Sequence, residues 1–127
     1  MGQVWIAVGA LLMGLGVGMG AFGAHALKNV FTPYSQAIYQ TAVQYHFYHA
    51  LGLMALGFFM KLFPEIASNS SGLIVALLFV AGIIIFCGSL YALAITEIKL
   101  LGAITPLGGV AFILGHLYFA YLAYKAI

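Results

Sequence analysis

Ten consecutive residues, Gln40-Thr41-Ala42-Val43-Gln44-Tyr45-His46-Phe47-Tyr48-His49, gather most of the chemistry in an otherwise greasy chain. Two amides, a hydroxyl, two phenols and two imidazoles can donate and accept hydrogen bonds, hold a metal or carry a proton. The apolar run Ala50 to Met60 follows directly. The block therefore reads as the entry and upper half of a membrane-spanning helix, where ionisable and polar groups are functional candidates by default. At spacings of three and four, Thr41, Gln44, Tyr45, Tyr48 and His49 share one broad face, continued by Gly52, with Gln36 and Gln40 extending it outward. This face is expected to point into a helix bundle, with His46 off its centre.

Three chemistries fit such a block. The polar groups can be interhelical glue, each satisfying a neighbour's hydrogen bonds. They can line a small cavity for an ion, a proton or a small molecule, with His49 and the glutamines on its wall. Or His49 and His116 can ligate a metal or haem across a bundle. Each of these two lies about 24 Å along its helix, from Pro33 and from Leu100. His46-x-x-His49 lacks the Glu-x-x-His partners of a di-iron centre. No nucleophile, base and orienting group stand together, so an enzyme is not expected. No metal or cofactor is assigned.

The elements that must position these residues follow from composition. Of 127 residues, 65% are hydrophobic and 5% charged, and the mean hydropathy is +1.17. A soluble domain carries about 25% charged residues, so the class is integral membrane protein. The net charge of +2 is too small for a nucleic-acid surface. Glu65 and Glu97 both fall in expected loops. The single Cys87 reads as a small apolar filler.

About 20 apolar residues cross a bilayer. Four segments qualify: Val4 to Ala26, Pro33 to Leu62, Gly72 to Ile95 and Leu100 to Ala126. The first is taken as a true span rather than a cleaved leader, because no Lys or Arg precedes it and the apolar run is long. Short connections predict one all-α domain, a four-helix bundle running up-down-up-down. Thr32-Pro33 predicts a helix start. The second helix would be about 45 Å long and tilted. Pro106 predicts a kink in the fourth helix, or a break with Thr105-Pro106 as a new start. Lys61 and Lys125 on one side balance Lys28 and Lys99 on the other, and the α-amino group tips both termini towards the cytoplasm.

Glycine dominates the first helix. Gly14/Gly18 and Gly16/Gly20 satisfy the small-xxx-small pattern for close helix approach, a basis for homo-oligomers or for docking into a membrane complex. Gly18-Met19-Gly20-Ala21-Phe22-Gly23 also fits a dinucleotide fingerprint, but it follows no strand and lies within a span.

Four ordered motifs resemble one family over essentially the whole chain. They are Gly20-Ala21-Phe22-Gly23-Ala24-His25-Ala26-Leu27-Lys28, the Thr41-Ala42…Tyr45…Tyr48-His49-Ala50-Leu51 stretch, Cys87-Gly88-Ser89-Leu90-Tyr91, and Leu101-Gly102-Ala103-Ile104-Thr105-Pro106-Leu107-Gly108-Gly109. They are similar to the transmembrane protein 256 / domain of unknown function 423 group. The resemblance implies a small multi-pass protein of a bacterial inner or organelle membrane, and no activity. Since His25, His49, Ser89, Tyr91 and Thr105 lie on these motifs and His116 does not, weight moves from a His49/His116 pair towards His25 with His49. The candidate ligand-binding set is His25, Gln40, Thr41, Gln44, Tyr45, Tyr48, His49, Ser89, Tyr91 and Thr105. The expected occupant is a small molecule, a lipid headgroup or an ion, in a polar pocket opening towards Lys28 and Lys99. The alternative is an accessory subunit of a larger complex.

Overall fold

A computed structural model describes residues 1–127 as helices joined by short turns, with no strand. Helix α1 runs Gly2–His25 and α2 runs Pro33–Leu62. A short α3, Pro64–Ser68, turns the chain into α4, Ser71–Gly82. A π-helical turn, Ile83–Cys87, joins α4 to α5, Gly88–Thr96. A 3-10 turn, Lys99–Ala103, precedes α6, Thr105–Ala126.

Three stretches are long and apolar enough to cross a membrane: Gly2–His25, Ser71–Thr96 and Lys99–Ala126, with mean hydropathies of 1.9, 2.9 and 1.8. The 30-residue α2 has the length but is not among them. Its Gln, Tyr and His residues dilute the apolar half that begins at Ala50. Yet α2 supplies the centre of the molecule. Leu53, Leu56 and Met60 pack with Val75, Ala76 and Phe79 in a fully enclosed cluster.

Contacts run in opposite order along α1 and α2. Along α1, a Cβ added at Gly2 would strike Gly57 and Lys61. At Gly9 it would strike Ala50 and Met54, at Gly16 Phe47 and His46, and at Gly23 Tyr39. These four glycines repeat every seven residues, the spacing that keeps one seam of a helix against its neighbour in a left-handed supercoil. Gly14 and Gly18, two of the glycines singled out by the four-residue pattern, face away and have nothing within 4 Å. On the other side of α2, Gly52 meets Phe79 and Gly72 meets Met60. Between the last two long helices, Gly108 lies on Phe86 and Gly115 on Phe79.

Thr32 starts α2 as the sequence predicts. Its extended backbone (ψ 162°) and its hydroxyl, accepting from the Ser35 N–H at 3.1 Å, cap the first turn ahead of Pro33. Pro106 does not kink a continuous helix. The chain breaks there, changing from 3-10 to α geometry, and Pro106 sits in the first turn of α6, where its missing N–H costs no hydrogen bond. Ile104 rather than Thr105 is the cap residue.

Candidate functional site

The polar residues of α2 divide into two sets. Ser35, Tyr39, His46 and His49 are buried, and Gln36, Gln40, Gln44, Tyr45 and Tyr48 are exposed. The expectation that the Thr41–Tyr48 face points inward is corrected here. On a helix with 3.6 residues per turn, the close approach of the α1 glycines fixes α2's rotation. His46 and Tyr39 turn inward, and the amides turn out. Thr41 is half-buried, and its hydroxyl donates back to the Ala37 carbonyl at 3.1 Å.

The inward set is bonded directly, side chain to neighbour. His46 Nε2–H donates to the Leu12 carbonyl at 2.7 Å, and the Tyr91 hydroxyl donates to His46 Nδ1 at 2.9 Å. One imidazole thus ties α1, α2 and α5 together. Tyr39 donates its hydroxyl to the Met19 carbonyl, and its ring meets Tyr91 edge-on at 5.2 Å. The Thr105 hydroxyl donates to Ser89 Oγ at 2.6 Å, leaving the Ser89 proton for the Phe86 carbonyl at 3.0 Å. That pair anchors the start of α6 to α5. Glu97 closes α5 with a left-handed backbone (φ 58°), and its Oε1 accepts from Thr32 Oγ1 at 3.4 Å and Ser35 Oγ at 3.3 Å. A carboxylate so placed sits beside the positive end of α2.

His49 pairs with His116, not with His25. Its Nε2 lies 3.0 Å from His116 Nε2, and its Nδ1–H donates to the Tyr45 carbonyl at 2.7 Å. The His49 ring stacks on Phe112, with centroids 3.4 Å apart and planes 10° from parallel. His25 is exposed on the last turn of α1, and its imidazole bonds to nothing in the chain. The antiparallel seam explains the separation. Gly23 is level with Tyr39, ten residues or about 15 Å short of His49. Two directly bonded imidazoles, one of them sandwiched against Phe112, leave no room for a porphyrin between them.

The three glutamines of the outward set line a groove of about 290 Å³ between the C-terminal half of α1 and the N-terminal half of α2. Gly20, Gly23 and Ala24 form one wall. Gln36, Gln40 and Gln44, one helical turn apart, form the other, with Phe31, Tyr39 and Val43 below them. None of the three amides bonds within the chain. Of the sequence-derived set, the groove holds Gln40 and Gln44. Tyr45, Tyr48 and His49 lie farther round α2, towards α6. Ser89, Tyr91 and Thr105 do not line it. Sequence reasoning demoted His46 and gave Glu97 no role beyond closing a turn. The glycine at position 16, whose added Cβ would approach the His46 ring at 3.3 Å, is the one signal that placed His46 in a seam.

The sequence model of a family described as "Protein of unknown function (DUF423)" matches residues 19–109. The chain is similar to the UPF0382 membrane protein YwdK of Bacillus subtilis, with 45% identity over 123 residues, 97% of this chain and 98% of that protein. The UPF0382 membrane protein SSP2132 of Staphylococcus saprophyticus is 44% identical over 115 residues, 91% of this chain and 92% of that protein. The UPF0382 membrane protein SH2409 of Staphylococcus haemolyticus is 40% identical over 123 residues, 97% of each. No solved structure matches the chain.

Proposed function

The chain belongs to the DUF423 family of membrane proteins, and from that premise we propose that it crosses the bilayer four times, up-down-up-down, and binds the polar part of a membrane-borne molecule in the lateral groove between α1 and α2. The observation that carries this reading is the ladder Gln36, Gln40 and Gln44, three exposed amides without a partner in the chain. A polar amide facing hydrocarbon without a hydrogen bond costs roughly 2–7 kcal/mol, so an occupant that bonds all three has much to offset. The amides lie roughly 5, 11 and 17 Å along α2 from Pro33. They descend from the headgroup layer into the upper hydrocarbon, where a lipid's esters and headgroup hydroxyls reside. They offer donors and acceptors without net charge, and no carboxylate lines the groove. Neutral hydrogen-bonding groups fit better than a bare ion.

The interior polar residues have another task. Their direct bonds join one helix to the next, and both ring nitrogens of His46 and of His49 are spent in such bonds. A second reading, an accessory subunit, draws on the same stripe. It continues past the groove onto exposed Tyr45 and Tyr48, where a helix of another membrane protein could lie. The outward Gly14 and Gly18 offer a further contact face, including for a second copy.

The double variant Gln40→Leu/Gln44→Leu separates the readings. With binding in the groove, native mass spectrometry shows loss of co-purifying lipid while the melting temperature holds or rises. With docking, lipid retention is unchanged, and a crosslinked complex present in the parent membrane disappears. Retention of both refutes both readings.

A further inference from the structure

We infer that the protein has a second site, on the flank of α2 that faces α6, where His116 and Tyr45 take the head group of a membrane-borne quinol. The site shares no residue with the amide groove and does not depend on it. It requires only that α2 and α6 lie in the bilayer.

The proton positions fix what this site presents. A carbonyl oxygen only accepts, so the 2.7 Å contact with Tyr45 puts the proton of a neutral His49 on Nδ1. His49 Nε2 is then a bare acceptor. The His116 Nε2 that stands 3.0 Å away must donate to it. A neutral His116 thus spends its one proton inward, and its Nδ1 is left as a bare acceptor. His116 is exposed, and its Nδ1 has no partner in the chain.

Depth narrows the choice of donor. His116 lies about 17 Å along α6 from Thr105 and about 14 Å from Lys125. That is close to the middle of a hydrocarbon core about 30 Å thick. Glycerolipids, sterols and glycolipids keep their hydroxyls at the headgroup level, in reach of water. A quinol carries its phenolic O–H groups on an isoprenoid tail and moves through the bilayer centre. It is the membrane-borne donor whose chemistry matches an acceptor at this depth.

The walls suit a planar ring. Tyr45 faces Phe112 with centroids 6.4 Å apart and planes 29° from parallel, and packs on Phe86 at 4.7 Å. His49 and Phe112 stack beneath, and His116 leans on Phe79 at 4.7 Å. The hydroxyls of Tyr45 and Tyr48 are not bonded within the chain, and both residues are exposed. One quinol O–H donates to His116 Nδ1, and the oxygen at the other end of the ring accepts from a tyrosine. The oxidised quinone has two carbonyls and no O–H. Its oxygen would face the Nδ1 lone pair, acceptor against acceptor. Binding therefore discriminates redox states without any electron transfer at the site.

The test uses the full-length protein in nanodiscs, under anaerobic conditions, titrated with a short-chain naphthoquinol and separately with its quinone while tyrosine fluorescence is followed. Saturable binding is expected, about tenfold tighter for the quinol, the size of one well-made hydrogen bond. His116→Leu abolishes the preference, and Gln40→Leu/Gln44→Leu leaves it intact. Should His116→Leu fail to fold, His116→Gln, which presents both a donor and an acceptor, brings the two affinities together, and Tyr45→Phe weakens both. No saturable binding overturns the inference, as does equal affinity for the two forms in the parent protein. Displacement of the quinol by equimolar dodecanol also overturns it, because the site would then take any hydroxyl.

Discussion

Two alanine substitutions about 7.5 Å apart along one helix are expected to act with opposite sign. At Gly9 an added Cβ would stand 2.6 Å from Met54 Cγ, 2.7 Å from the Ala50 carbonyl oxygen and 2.9 Å from the Met54 backbone N. Two of these three atoms are backbone and cannot rotate away. The Ala50 oxygen is 0.7 Å inside the 3.4 Å where ordinary contact begins (3.4 − 2.7). Helix α1 must therefore lift off α2, loosening the seam that also holds Gly2 and Gly16. At Gly14 nothing stands within 4 Å. Alanine is favoured over glycine in a helix by about 0.8–1 kcal/mol, and both variants share that gain. The difference between them isolates the collision, about 1–3 kcal/mol for overpacking a tight contact. For a chain this size that is roughly 4–11 °C between the two melting temperatures. Gly16→Ala should fall between, since its nearest neighbours are Phe47 ring atoms at 2.8 and 3.1 Å, which can swing aside. Thermal unfolding of all three in one detergent, with light scattering to hold oligomer size constant, reads the order Gly14→Ala above Gly16→Ala above Gly9→Ala. Equal shifts at 9 and 14 would refute the seven-residue seam.

The remaining predictions concern the polar joints. His46→Ala removes bonds to both Tyr91 and Leu12. Intramembrane hydrogen bonds are worth about 0.6–1.7 kcal/mol each, and an unfilled space in the core adds to that loss. Its unfolding free energy should drop by about 2–5 kcal/mol, measured by denaturant titration in micelles, while Tyr91→Phe costs about 0.6–1.7 kcal/mol. A Tyr91→Phe effect as large as that of His46→Ala would mean the ring does not join α1 to the rest. Glu97→Ala removes the acceptor for Thr32 and Ser35. It should speed hydrogen exchange in the first turn of α2 and leave the Leu53–Met60 amides unchanged. Exchange that quickens throughout α2 would contradict a purely local role.

Local chemistry was readable from the residues themselves. Thr32-Pro33 marks a helix start because a hydroxyl and a ring without an N–H solve the same problem at adjacent positions. Pro106 marked a disturbance for the same reason, though only the Ser89–Thr105 bond shows why a break is held there rather than a kink. What sequence could not supply was rotation. The stripe Gln36, Gln40, Gln44, Tyr48 has helical spacing whether it points to the core or to the lipid. The rule that polar groups face inward then chose the wrong side. Rotation is set by a partner helix, and the relevant mark lay on α1, in glycines repeating every seven residues rather than every four. Judged by that seam, His46 is interior and the glutamines are not. The pairing of His49 with His116 was legible from helix arithmetic. Weighting by motif moved attention to His25, because motifs report what recurs in a family rather than what lies at equal depth.

The outward amides carry the functional argument because the fold does not need them. Leucine at 36, 40 and 44 would leave every hydrogen bond within the chain in place, and α2 would then be apolar enough to enter a bilayer without help. As it is, the central helix is the one long helix that falls short as a span. On the proposed four-span reading, its place in the membrane depends on α1 and on Ser71–Thr96 packed against it. The buried histidines explain part of that shortfall, since each returns a bond to a neighbouring helix. The glutamines return none. An unrewarded polar group at bilayer depth marks either a cost the isolated chain simply bears or a contact completed by another molecule. If the first were true, Gln40→Leu/Gln44→Leu would only stabilise the protein, with no change in what travels with it through purification. The three amides also fall on one face, one turn apart, against a wall of small residues. Solvation by chance water gives no reason for that alignment, and a shared occupant does.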